Sequence, residues 1–188
     1  MDTDLENKTP RSDTLNSFCV YPQVKFDSQY ENEELVLLLR AHPLTQLPWI
    51  FTTLVLSFFP IPISLLLAQF LAPGQIFFFI GFTFLLIFSY AFMNILIWLF
   101  NVGMVTDQRV IDLDYANVLQ KEMTEAADAD IADVTAKYSG FIPTFFDYGD
   151  VFIQTSGVAQ GVEFLRVPHP SKAANIISQL ARISHENV

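Results

Sequence analysis

Residues 41–106 read AHPLTQLPWIFTTLVLSFFPIPISLLLAQFLAPGQIFFFIGFTFLLIFSYAFMNILIWLFNVGMVT, and these 66 positions hold no Asp, Glu, Lys or Arg. Leu, Ile and Phe dominate the run. A soluble chain of 188 residues needs no core segment of this kind. The hydrocarbon core of a bilayer is ~30 Å thick and takes about 20 apolar residues per helix. The stretch is therefore long enough for two crossings. Backbone groups in lipid have to be satisfied within their own segment, which selects helices.

The expected hairpin occupies residues 47–100, with helices over Pro48–Leu71 and Gln75–Phe100. Ala72-Pro73-Gly74 breaks the run, because proline and glycine disfavour helix continuation. So short a connection makes the two helices antiparallel neighbours. Folding the run about Pro73 sets Trp98 level with Pro48, beside Trp49, so both tryptophans fall at one membrane interface. The same fold sets Asn94 level with Thr52 and beside Thr53, and Ser89 level with Ser57. These groups are expected to pair between helices. Pro60 and Pro62 sit midway along the first helix and remove backbone donors there. Two readings follow: a kinked helix that spans, or a re-entrant segment that returns to its starting side. All ten bases lie outside the hairpin. The excess of Lys and Arg on the cytoplasmic side of membrane proteins then places both termini in the cytoplasm of a multi-pass inner-membrane protein.

The flanks are acidic. Residues 1–40 carry 8 acids and 4 bases, and residues 107–188 carry 12 acids and 6 bases. Nucleic acid attracts proteins by phosphate neutralisation, so it is not an expected partner. Cys19 stands alone, which excludes a disulfide framework or cysteine metal cluster. Residues 1–25 read as a polar, disordered tail. Residues 26–46 form a juxtamembrane segment whose Leu35–Leu39 suits a short helix or a buried strand. His42-Pro43 reads as loop.

Residues 101–188 have a β pattern and form a separate domain. Met104–Thr106 and Arg109–Tyr115 flank Asp107-Gln108 as a hairpin. In its second strand Ile111, Leu113 and Tyr115 alternate with Asp112 and Asp114. Val118–Thr124, Ile131–Tyr138, Val151–Thr155 and Val162–Val167 read as further strands. Pro170 opens a helix, as proline does at a first turn. Ala173, Ile176, Ile177, Leu180 and Ile183 make its apolar face.

Val105-Thr-Asp-Gln-Arg-Val-Ile111 is similar to the strand-turn-strand opening of bacterial pleckstrin-homology-like (PH-like) domains. Tyr148-Gly-Asp-Val-Phe-Ile-Gln-Thr-Ser-Gly157 resembles their later glycine-led strand. Ile131-Ala-Asp-Val134 and Val167-Pro-His-Pro170 follow the family order. The layout over residues 30–185 resembles bacterial membrane proteins of the YdbS-like type, with a transmembrane hairpin ahead of the domain. The resemblance implies a membrane α+β protein: a two-helix hairpin, then a partly open β-barrel closed by a C-terminal helix. It implies no catalytic residues.

Candidate sites are few. Asp128, Asp130 and Asp133 could offer carboxylates to a divalent cation, but no glycine or glutamate follows at calcium-loop spacing, and a solvated strand start explains them. Asp147 and Asp150 could act as acid and base, yet a tight turn accounts for both. His169 and His185 suggest no catalytic set with serine and aspartate. Phe141, Ile142, Phe145 and Phe146 either enter the core or form an exposed patch for a partner or membrane. The bases Arg109, Lys121, Lys137, Arg166, Lys172 and Arg182 are scattered, so no basic lipid pocket is expected.

No cofactor or metal is expected, and no enzymatic activity. The chain reads as a cytoplasm-facing, membrane-anchored PH-like module that works by binding or assembly. Its expected partners are the lipid bilayer and a second copy or other membrane proteins. The alternative is an accessory subunit of a membrane transport or secretion complex.

Overall fold

A computed structural model describes residues 17–22, 29–30, 33–117, 120–156 and 161–186. Two compact units emerge: Pro43–Trp98, and the residues up to His42 together with Leu99 onward.

The helical unit opens with a short 3-10 turn, Pro43–Gln46, and continues as α1 (Leu47–Phe58) and α2 (Pro60–Leu67). After a turn comes α3 (Pro73–Phe100). Pro43–Leu67 and Pro73–Phe100 are each long and apolar enough to cross a membrane. The helix is interrupted at Phe59, whose dihedrals stay helical, and Pro60 occupies the first position of α2, where its missing N–H costs nothing. The first helical segment stops at Leu67 rather than Leu71, and the second starts at Pro73 rather than Gln75. No residue of α3 is buried, and only Pro60 and Ser64 are buried in α2.

In the second unit β1 (Phe18–Val20), β2 (Leu35–Leu39), β3 (Val102–Thr106), β4 (Arg109–Asn117) and β5 (Gln120–Ala127) form one sheet in that order. Every neighbouring pair in it is antiparallel. A second antiparallel sheet follows, from β6 (Ile131–Lys137), β7 (Tyr148–Thr155) and β8 (Val162–Pro168). The helix α4 (Phe141–Phe145) joins β6 to β7, and α5 (Pro170–Glu186) ends the chain. The class is α+β, with five strands, then three, then a helix.

This arrangement changes the expected domain boundary. Leu35–Leu39 is a strand inside the first sheet, between β1 and β3, with Leu39 opposite Gly103 and Leu38 opposite Met104. Its five residues are all buried. Leu37 and Leu39 enter the main core, while Leu35 and Leu38 join Cys19, Met104 and Ile111 in a second cluster. A strand buried on both faces reads as a continuous apolar run instead of an alternation, which is why the sequence left helix and strand open here. Phe18–Val20 lies within the expected tail but pairs with β2, Cys19 facing Leu38. The rest of residues 1–25 lies mostly outside the described residues, as do Val118 at the start of the third expected strand and Gly157. The apolar helices thus interrupt the β-domain after its second strand and do not precede it.

The main core holds Val105, Val110, Val151, Ile153 and Phe164 from both sheets, closed by Ala173, Ile176, Ile177 and Ala181 of α5. Ile183, assigned to the same helical face, is exposed. Gly103 is required where it stands: a Cβ there would overlap the Phe164 ring.

One buried ion pair ties the two pieces of chain together. Arg109 Nε donates to Glu33 Oε1 at 2.9 Å and its second amino group to Oε2 at 3.2 Å. A third bond reaches Glu125 at 2.9 Å, and the guanidinium lies 4.1 Å from the centroid of Tyr30. Planar arginine suits such bidentate and stacked contacts. Burial pushes the Glu33 carboxyl up, but the bonds from Arg109 and Tyr30 N–H outweigh it and hold the group below its ordinary value.

Candidate functional site: the end of the β-domain where the chain departs

Strand direction decides which loops share an end. β2 runs out to Leu39 and β3 runs back from Val102. His42, the last residue of the β-unit before the helices, donates its N–H to Arg166 O at 2.7 Å. Its ring stacks on Tyr148, with centroids 5.2 Å apart. Lys137 ends β6 opposite Asp150, and Tyr148, which opens β7, lies opposite Pro168 at the end of β8. The β6–β7 connection carrying α4 and the β8–α5 turn therefore lie at the end from which the chain leaves and to which it returns.

A polar network pins this end. His169 Nδ1 bonds Asp147 Oδ2. Tyr138 donates to Asp147 Oδ1 at 3.0 Å, and its oxygen lies 3.0 Å from the Ser171 hydroxyl. The backbone repeats the link, since His169 N–H donates to Asp147 O. The bond to His169 holds the Asp147 carboxyl below its ordinary value, with help from Tyr138 and Lys172 and against the effect of burial. Burial, with His169 nearby, pushes the His42 imidazole down. Asp147, Arg166 and His169 all have φ near +50°, at 51°, 55° and 50°. Aspartate and histidine tolerate this region better than most residues, and such strain persists only where surrounding bonds enforce it. Sequence reasoning separated these residues; the structure joins Asp147 to His169 across the two turns. The arrangement is a latch between them. Ser171 engages the Tyr138 hydroxyl.

Asp150 does not pair with Asp147. Its Oδ1 accepts the Arg166 N–H at 2.8 Å, which fixes the bend of β8. The other aspartate trio also separates. Asp128 is buried, whereas Asp130 and Asp133 are exposed, and Asp133 accepts from Thr135. No group of three or more potential metal ligands assembles among the described residues. Neither Asp128 carboxylate oxygen has a hydrogen-bond partner among them. Burial, with Asp107 and Glu33 nearby, pushes its pKa up to about 7. Asp112 is also raised to about 7, by burial and by Asp114 and Glu163.

The four apolar candidates resolve clearly. Phe141, Ile142, Phe145 and Phe146 are 83%, 59%, 70% and 47% exposed, so the core alternative is excluded. Gly140, at φ 116°, starts α4, and Thr144 Oγ1 donates back to Gly140 O at 2.8 Å. The Phe141 and Phe145 rings stack at 6.1 Å, and Phe146 meets Phe145 edge-on at 5.0 Å.

In the helical unit the polar groups turn inward on their own helices. Thr52, Thr53 and Ser57 donate to the carbonyls of Pro48, Trp49 and Thr53, and Asn94 Nδ2 donates to Tyr90 O at 2.8 Å. Asn94 makes no bond to Thr52 or Thr53; all three side chains bond backbone carbonyls of their own helices. Trp49 and Trp98 are half-buried, and Trp49 Nε1 donates to Gln46 Oε1 at 2.8 Å. Glu33, Tyr30, Tyr138 and Ser171 were missed in the sequence because their partners lie on other strands. The lone Arg109 beside an apolar strand was the one visible signal.

Comparison with protein-family models, curated proteins and solved structures returns no match for this chain.

Proposed function

We propose that the protein is a membrane-anchored PH-like module whose β-domain stays on the cytoplasmic side and works by binding or assembly. One observation carries most of the reading: Leu39 lies opposite Gly103 in a single sheet. The chain leaves the β-domain and re-enters it on the same side, so an intact domain requires an even number of crossings in between. Two segments of sufficient length are present. A re-entrant first segment followed by a spanning second would put Leu39 and Gly103 on opposite faces of the bilayer. The C-terminal helix α5 fits the PH-like resemblance, whereas β1 and β2, ahead of the helices, depart from its hairpin-first layout.

The bare surface of α3 supports membrane burial, since a water-exposed helix with its composition would aggregate. Asn94 supports a second helix as partner. Its amide uses one donor on Tyr90 O, and the rest has no partner among the described residues. In hydrocarbon such a group draws in a neighbouring helix, from a second copy or another membrane protein. This is also the feature that favours the accessory-subunit reading.

The test fuses a reporter active only outside the cytoplasm to either terminus or to the turn at Gly74. Activity is expected at Gly74 alone. Activity at one terminus and not the other would refute the paired arrangement.

A further inference from the structure

We infer that α4 is a wedge that inserts Phe141, Ile142 and Phe145 into the headgroup–acyl boundary of the bilayer, at the end of the β-domain from which the chain departs. The inference rests on the membrane reading above and deepens it by naming a lipid-contacting surface in the β-domain.

The first argument is placement. His42 is the last residue before the helical unit, and it stacks on Tyr148, two residues beyond the exposed Phe146. Its N–H is bonded to Arg166 at the neighbouring turn. The patch and the departing chain thus share one end of the same domain. The second argument is surface. Phe141, Ile142 and Phe145 of α4 and Phe146 just after it are exposed, with Phe141 stacked on Phe145 and Phe146 edge-on to Phe145. With about 200 Å² per large apolar side chain, their exposed surface amounts to roughly 500 Å², at the upper end of what a monomer leaves to water. Gly140 and the Asp147 latch fix the helix at either side, so the presentation is rigid.

Lys137, Arg166 and Lys172 share this end with Asp147 and Asp150, and with Asp112, which lies opposite Gly103, and its neighbours Asp114 and Glu163. The opposite end gathers Glu33, Glu34, Asp107, Glu125, Asp128 and Asp130, with Arg109. Both ends thus carry acids, and burial of the patch rests on its exposed apolar surface. Amphipathic segments of this kind bury their apolar face just below the headgroups. A soluble protein partner would have no reason to select the end crowded by the chain's own departure toward the membrane.

The experiment uses the full chain with Cys19→Ala, reconstituted into phosphatidylcholine vesicles with and without phosphatidylglycerol. An environment-sensitive fluorophore is attached at F141C, F145C or, as control at the far end, D130C. Carbonate extraction of the same vesicles reports integration separately. Probes at 141 and 145 are expected to emit blue-shifted from the probe at 130. Lipids carrying a shallow spin label should quench them at least twofold, leaving the control unchanged. Water-like emission at 141 and 145 from a chain that resists carbonate would overturn the wedge alone. Shielded emission without lipid quenching would overturn it in favour of a protein cover. Loss of the chain to carbonate would overturn the membrane reading together with the wedge.

Discussion

Leu35–Leu39 and Pro73–Phe100 are built from the same kinds of residue and meet opposite environments. All five residues of β2 are buried, while none of the 28 in α3 is. The strand finds partners within the chain because β1 and β3 flank it and both its faces are covered by core clusters. The helix leaves Phe77, Phe78 and Phe88 bare at 82%, 72% and 67%. Apolarity alone therefore does not say what buries a segment. β2 obtains its stability from the fold; α3 finds no burial within the described chain, which is the observation behind the proposal that lipid surrounds it.

The largest contrast is expected from truncating one leucine in each region. Leu37 is fully buried, and Leu37→Ala should cost about 3 kcal/mol through lost transfer energy and a residual cavity. Leu85 is 58% exposed, and Leu85→Ala should stay within about 0.5 kcal/mol, since lipid fills the space left. Urea midpoints from pulse proteolysis of the full chain in lipid nanodiscs separate the two. Equal shifts would break the comparison.

A smaller effect concerns Asp128. Its folded pKa of about 7 stands above the ordinary 3.8, so the folded domain holds the proton more tightly than the unfolded chain does. Stability from this group is fully present below pH ~4 and is lost as pH rises through about 7. Asp128→Asn removes that titration and leaves Asp112, at the other end of the domain, in place. The variant should match the wild type near pH 4 and exceed it by about 2 kcal/mol at pH 8. An unchanged difference across that range would mean that Asp128 is solvated in the folded domain.

Much of this was legible in the sequence. Charge absence over residues 41–106 located the helical unit, and period-two alternation located β4. Pro170 marked the start of α5 correctly. Other features depended on contacts between distant residues. The role of β2 depended on β3, which lies beyond the whole helical unit, and no local pattern reports a partner so far along the chain. Asp147 and His169 are 22 residues apart and meet only because two turns share an end. The aromatic loop was visible as a choice between core and surface, and only the full core, already filled by both sheets and α5, decides for the surface.

The central claim is that one β-domain is assembled from both sides of the helical unit. The most direct test removes residues 43–98 and joins His42 to Leu99 through a short Gly-Ser linker, which the pairing of Leu39 with Gly103 permits. The joined protein is expected to be soluble, to give a dispersed amide spectrum and to unfold cooperatively, whereas residues 101–188 alone, lacking β2 and Glu33, remain unfolded. A cooperative transition in the 101–188 fragment, or none in the joined protein, would contradict the account.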